Sequence, residues 1–150
     1  MASIVHSNTS VSLRPAPINP DWIIEGKPVA RNAILSRSHD GTASTLIWDC
    51  TAGTFDWHYD IDETVHVLEG SVVVSEDNAP ERRLGPGDVA FFPAGSHARW
   101  HVENYVRKIA FCRRTLPKPI ELLVKTARRV RAISQPHRRP ESMLGASLSP

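Results

Sequence analysis

The chain has 150 residues, 41% of them hydrophobic and 23% charged, with a formal net charge of +2. That is room for one domain of ordinary size and not for two, and the balance excludes collagen-like, coiled-coil and wholly disordered chains. Charge divides along the chain: residues 1–112 hold nine Lys/Arg against fourteen Asp/Glu, net −5, and residues 113–150 hold nine against two, net +7. The body is acidic and the tail basic.

No apolar run approaches the roughly 20 residues that a membrane span needs. Met1–Ser10 is polar, with no basic start followed by an apolar core, so neither a membrane partner nor a secretory leader is expected. Cys50 and Cys112 lie far apart with no CxxC, which fits buried thiols in a reducing compartment, a single disulfide being the alternative. A cytoplasmic location is the expectation.

Residues 1–21 form an extended lead-in, because Pro15, Pro17 and Pro20 favour extended backbone and no periodicity competes. Regular structure is expected from Trp22, and residues 22–113 read as short strands separated by turns. Leu46, Ile47 and Trp48 mark one strand. Thr64–Leu68 and Ser71–Ser75 mark two more, with Glu69-Gly70 between them as a hairpin signal. Asp77–Pro80 and Leu84–Asp88 are turns, and Val89–Phe92 is a strand stopped by Pro93-Ala94-Gly95. Ala98, Trp100 and Val102 alternate with His97, Arg99 and His101, a period of two that buries the first set. Arg107–Cys112 closes the series. The pattern predicts an antiparallel sandwich or barrel. Residues 114–150 form a basic helix and tail: Ile120, Leu123, Val124, Ala127 and Val130 share a helical face, and 135–150 read as a frayed end.

Two boxes carry the strongest signal. The first runs from Gly53 to Gly70 and contains Glu63; the second holds Gly87, Pro93 and Gly95. Together they resemble the cupin superfamily, whose motifs are G-x5-H-x-H-x3-4-E-x6-G and G-x5-P-x-G-x2-H-x3-N. Glu63, Gly70, Gly87, Pro93 and Gly95 fall in register, and Gly53 sits about two positions late. Trp57-x-Tyr59 before Asp62-Glu63, Leu68-Glu69-Gly70, Pro86-Gly87-Asp88 and Trp100-x-Val102 before Val106-Arg107-Lys108 are similar to one subgroup. That subgroup is the small single-domain cupins grouped with the cupin domain of (S)-ureidoglycine aminohydrolase. The resemblance implies an all-β, RmlC-like jelly-roll barrel, often dimeric, here with a short C-terminal helix.

The departures bear on chemistry. Metal-dependent cupins supply about three imidazoles and one carboxylate to a borderline cation. Here the H-x-H positions are Trp57 and Tyr59 on one spacing, or Asp56 and His58 on the other. The late His position is Ala98 and the Asn position is Val102. On the first spacing only Glu63 survives of the ligand set. His58, His66, His97 and His101 are the remaining candidates, but strand parity turns His58, His97 and His101 away from the face of Trp57, Ala98 and Trp100. A β-bulge would reverse that parity. No metal and no cofactor is expected.

What is left inside is an aromatic-lined pocket of Trp57, Tyr59 and Trp100 around Glu63. Buried Tyr OH and Trp NH groups need polar partners. Glu63 either accepts from them or titrates, and an apolar site without a cation would raise its pKa into the range of a general acid or base. Glu63→Gln is then expected to leave stability nearly unchanged. Asp56, Asp60 and Asp62 read as solvated turn residues, and Arg107 and Lys108 as partners of Asp88, Glu103 or an anionic ligand. The basic tail lacks interleaved aromatics, so no nucleic acid is expected. The expected function is metal-free binding of a small polar metabolite by Trp57, Tyr59, Glu63 and Trp100. The alternatives are an enzyme with Glu63 as catalytic acid or base, and a metalloenzyme with displaced histidines. A homodimer is expected, through Trp22-Ile23-Ile24 or the Ile120–Val130 stripe.

Overall fold

The structure, a computed structural model, describes residues 3–115 and 118–134; the end expected to fray, 135–150, lies outside the described residues. Contacts divide the chain into two units, Met1–Thr115 and Leu116–Pro150. The described part of the second unit is one helix, α1 (Lys118–Ser134), in which the Thr126 hydroxyl donates to the Leu122 carbonyl.

Apart from a single 3-10 turn at Pro20–Trp22, the regular structure in the rest of the described residues is strand. The strands are β1 (Arg14–Pro15), β2 (Ile23–Gly26), β3 (Ala30–Arg37), β4 (Ala43–His58), β5 (Asp62–Gly70), β6 (Val72–Ser75), β7 (Arg82–Leu84), β8 (Val89–Phe92) and β9 (His97–Arg113). β4 and β9 are the long ones and pair antiparallel from Ala43↔Arg113 to His58↔His97. At mid-length Thr51 pairs with Tyr105 and Gly53 with Val102, so Ala52 stands opposite both Glu103 and Asn104. That bulge bends both strands and passes them from one sheet to the other. One half of the pair belongs to the order β1-β3-β4-β9-β5-β8, and the other carries β2 on β4 and β6-β7 on β9. The two layers enclose Phe55, Val65, Val67, Val72, Trp100, Val102 and Val106, all at most 2% exposed. This is the jelly-roll that the two boxes imply.

Two expectations are corrected. Glu69-Gly70 is not a hairpin turn. β5 pairs with β9 as far as Gly70↔Val106, and β6 then continues along the same β9 at Val73↔His101. The chain therefore kinks from one layer to the other without reversing. Gly70 sits there at φ 70°, where a Cβ would lie 2.0 Å from the Tyr105 carbonyl oxygen. Pairing also begins earlier than Trp22: Arg14 and Pro15 bridge Asn32 and Arg31, and Ile18 is buried. A two-residue bridge that itself includes Pro15 leaves no periodicity to read. Trp22 and Ile23 are partly buried against this chain's core.

The outer face carries a buried charge cluster that ties the lead-in down. Asp49, 1% exposed, accepts from the Arg31 guanidinium at 3.0 and 2.5 Å and from the Tyr105 hydroxyl at 2.9 Å. Arg107 stands 3.7 Å from the same carboxylate and donates to the Thr9 carbonyl at 2.7 Å.

Gly70→Ala should cost about 3 kcal/mol or prevent folding, because backbone clash adds to the roughly 1–2 kcal/mol of left-handed strain. Gly87→Ala, at φ 94° with nothing within 4 Å of a Cβ, should cost only that strain. Urea denaturation of the two variants checks this, and equal losses would contradict it.

Candidate functional site

The two boxes interlock, and the interlock places the site. The Gly95 N–H donates to the Tyr59 carbonyl at 2.7 Å, and the Tyr59 N–H donates to the Ser96 carbonyl at 2.9 Å. The Ala94 N–H donates to Asp62 Oδ1 at 3.0 Å. The Pro93–Gly95 turn thus clamps the segment between β4 and β5 and sets Tyr59 facing inward. Its ring stacks on Phe92 at 4.6 Å and 9°.

Behind Tyr59 lies a cavity of about 370 Å³. Trp48, Phe55 and Trp57 of β4 form one wall, and Trp100, Lys108 and Cys112 of β9 form another. Glu63 enters from β5, Asn32 from β3, and Ala16 and Pro17 of the lead-in complete the lining with Asp60 and Ile61. Trp57, Tyr59, Glu63 and Trp100 are thus all brought to one space. Trp48 was not anticipated here, and Lys108 only as a partner of Asp88, Glu103 or an anionic ligand. Trp48 is an odd number of residues from Trp57, which on simple parity puts them on opposite faces. The bulge at Thr51–Gly53 reverses that parity, and the two rings meet at 5.9 Å.

Lys108 decides the electrostatics. It is 5% exposed, Glu63 is 7% exposed, and the ammonium donates to Glu63 Oε1. Its Nζ also lies 4.7 Å from the Trp100 ring and 5.1 Å from the Trp48 ring, within reach of a cation–π attraction. The expected pairing with Asp88 or Glu103 is therefore corrected. Arg83 holds Glu103 at 2.7 Å, and the Asp88 carboxylate accepts from the Gly85 N–H at 2.8 Å. The apolar surroundings without a cation that were expected of Glu63 are not found, since an ammonium stands beside it. Nor do the aromatic donors serve Glu63: Trp100 Nε1 donates to the Tyr59 hydroxyl at 3.0 Å. Burial first, and the Glu63 charge second, push the Tyr59 phenol well above its ordinary range.

The inward positions do not fit a metal ion. Where imidazoles would stand there are an indole, a phenol and the methyl of Ala98, and the surviving carboxylate is engaged by an ammonium. Among the described residues no group of three or more His, Cys, Asp or Glu side chains could hold an ion. His58 and His97 stack on the outer surface at 5.9 Å, His97 faces Asp77 at 3.2 Å, and His101 Nδ1 lies 2.8 Å from the Thr54 hydroxyl. His66 shares the row of Val89 and Ile109. The acidic run is divided. Arg99 pairs with Asp56 at 2.9 Å, and Ala94 N–H and Arg113 hold Asp62 below the usual carboxylate range. Asp60 lines the cavity.

Residues 37–110 match the family model of the EutQ-like cupin domain. Fold and match together define a cupin-domain protein. Over those residues the chain is similar to the EutQ-like kind. A protein of unknown function in the DUF861 family, from Pseudomonas syringae pv. tomato DC3000, is 27% identical with a TM-score of 0.65 over 70% of this chain and 46% of that one. This chain thus spans less than half the length of that relative. A putative ethanolamine utilization protein Q from Salmonella typhimurium LT2 is 24% identical, with a TM-score of 0.51 over 57% of this chain and 69% of that one. A cupin-like protein from Thermotoga maritima MSB8 is 16% identical, with a TM-score of 0.55 over 68% and 79%. The last two likenesses are of fold. No curated protein matches the chain.

Removing either member of a buried pair strands the other, at about 3–5 kcal/mol. Lys108→Met and Glu63→Gln should each be destabilising on that scale, which replaces the near-neutral expectation for a lone Glu63. The double variant should lose clearly less than the sum in a urea-denaturation cycle; strict additivity would contradict the pairing. Cys50 and Cys112 are both free. Burial pushes the thiols up to about 12 and about 11, with Asp49 and Glu63 adding to it. Since the thiolate is the reactive form, iodoacetamide at pH 8 should label neither until the protein unfolds. Rapid labelling of the native protein would contradict this.

Proposed function

We propose that this cupin domain binds a small polar metabolite without a metal ion, with Lys108 as the cation beside Glu63. The observation that carries the reading is the buried Glu63–Lys108 pair on the wall of a 370 Å³ cavity lined by indole rings. That volume falls in the range of small-molecule pockets, which combine apolar walls with a few placed polar groups. Trp57, Tyr59 and Trp100 offer flat faces, Trp48 adds a further one, and the pair supplies orientation. Binding, as in a sensor, carrier or regulatory module, is the role proposed.

The subgroup resemblance to the cupin domain of (S)-ureidoglycine aminohydrolase is taken as kinship of architecture. Its metal ligands at comparable positions are missing here, so its reaction is not carried across. An acid–base role for Glu63, the enzyme alternative, would require the pair to open first. We place the protein in the cytoplasm as a homodimer. Val89, Phe91 and Phe111, 63%, 60% and 49% exposed, supply an apolar outer face for the partner copy. Among the described residues no helix is long and apolar enough to cross a membrane.

Elemental analysis of protein purified without chelator, and again after incubation with manganese and zinc followed by desalting, tests the reading. The expected result is no stoichiometric transition metal in either sample. One equivalent lost on Glu63→Ala would overturn it.

A further inference from the structure

The pair at the cavity wall is neutral as a unit and incompletely satisfied. Lys108 carries three N–H donors, and among the described residues its only polar partner is Glu63 Oε1. Glu63 Oε2 accepts no hydrogen bond among the described residues, yet it is not a sealed-off orphan, since no fully buried side-chain atom lacks a partner. Both residues line the cavity. The wall therefore presents an ammonium donor beside a carboxylate acceptor, flanked by the rings of Trp48 and Trp100.

That arrangement discriminates by charge. A ligand carboxylate brought to Lys108 would share one ammonium with Glu63, leaving a net negative charge buried among aromatics, with Asp60 also on the wall. Burying an uncompensated charge is far costlier than making a neutral hydrogen bond is favourable. A cationic ligand meets the mirror problem at Lys108. A neutral edge with an acceptor next to a donor meets neither.

We propose that the cavity selects neutral ligands bearing a carboxamide-type edge over the carboxylates of the same shape. The carbonyl oxygen accepts from Lys108 Nζ and the adjacent N–H donates to Glu63 Oε2, while the planar group lies against indole. This selection rests on the reading of the cavity as a binding site, and one experiment separates the two.

Benzamide and benzoate differ in little but the charge of that edge. Their binding to the wild-type protein at pH 7, followed by tryptophan fluorescence and calorimetry, should favour benzamide at least tenfold. Glu63→Gln leaves Lys108 without its counter-charge and should reverse the order in favour of benzoate. If that variant loses its fold by circular dichroism, the wild-type comparison alone decides. Benzoate binding the wild type as tightly as benzamide would overturn the selection and leave the binding site standing. Binding of neither at millimolar concentration would overturn both.

Discussion

A carboxylate enclosed by indole and phenol rings needs a positive charge within bonding distance, because leaving it alone would cost several kcal/mol. Glu63 occupies the cupin position that survives from a metal-ligand set, and here the charge arrives on Lys108 of β9, which pairs with Val67 of β5 while Glu63 pairs with Cys112. The neighbouring rings are part of the same solution. Trp48 and Trp100 turn their faces to the ammonium, so the cation is stabilised on the sides that Glu63 does not reach. The polar demand of Trp100 is met elsewhere, its Nε1 donating to the Tyr59 hydroxyl.

The frame that makes this possible is the bulge shared by β4 and β9. Without it Trp48 and Trp57 would project to opposite sides of one sheet. With it Cys50 and Phe55, an odd number of positions apart, are both fully buried in the same core. The bend also gives the outer face its charge cluster: Tyr105, Asp49, Arg31 and Arg107 gather beside it, and Arg107 reaches the lead-in at Thr9. Since Ala16 and Pro17 further along that lead-in line the cavity, outer-face ion pairing and inner-face enclosure share one segment.

The jelly-roll was legible because its turns need particular chemistry. Gly87, Pro93 and Gly95 stand where φ must be positive or fixed, and the alternation of Ala98, Trp100 and Val102 declares a buried face. Trp57, Tyr59, Glu63 and Trp100 could be gathered by the same spacing. Lys108 was hidden by its type. The even-numbered alternation continues through Val106, Lys108, Ala110 and Cys112, and following it would have turned the lysine inward, but a charged residue beside Arg107 reads as surface. The kink at Gly70 was hidden differently: a glycine with positive φ serves a reversal and a sheet crossing equally well, and only the shared partner strand distinguishes them.

The most direct test of the central claim is a crystal structure at atomic resolution from protein grown and crystallised with manganese present. The account predicts the Lys108 ammonium against Glu63 between the two indoles, with no ion there. A cation bonded to the Glu63 oxygens, with Lys108 swung aside, would contradict it.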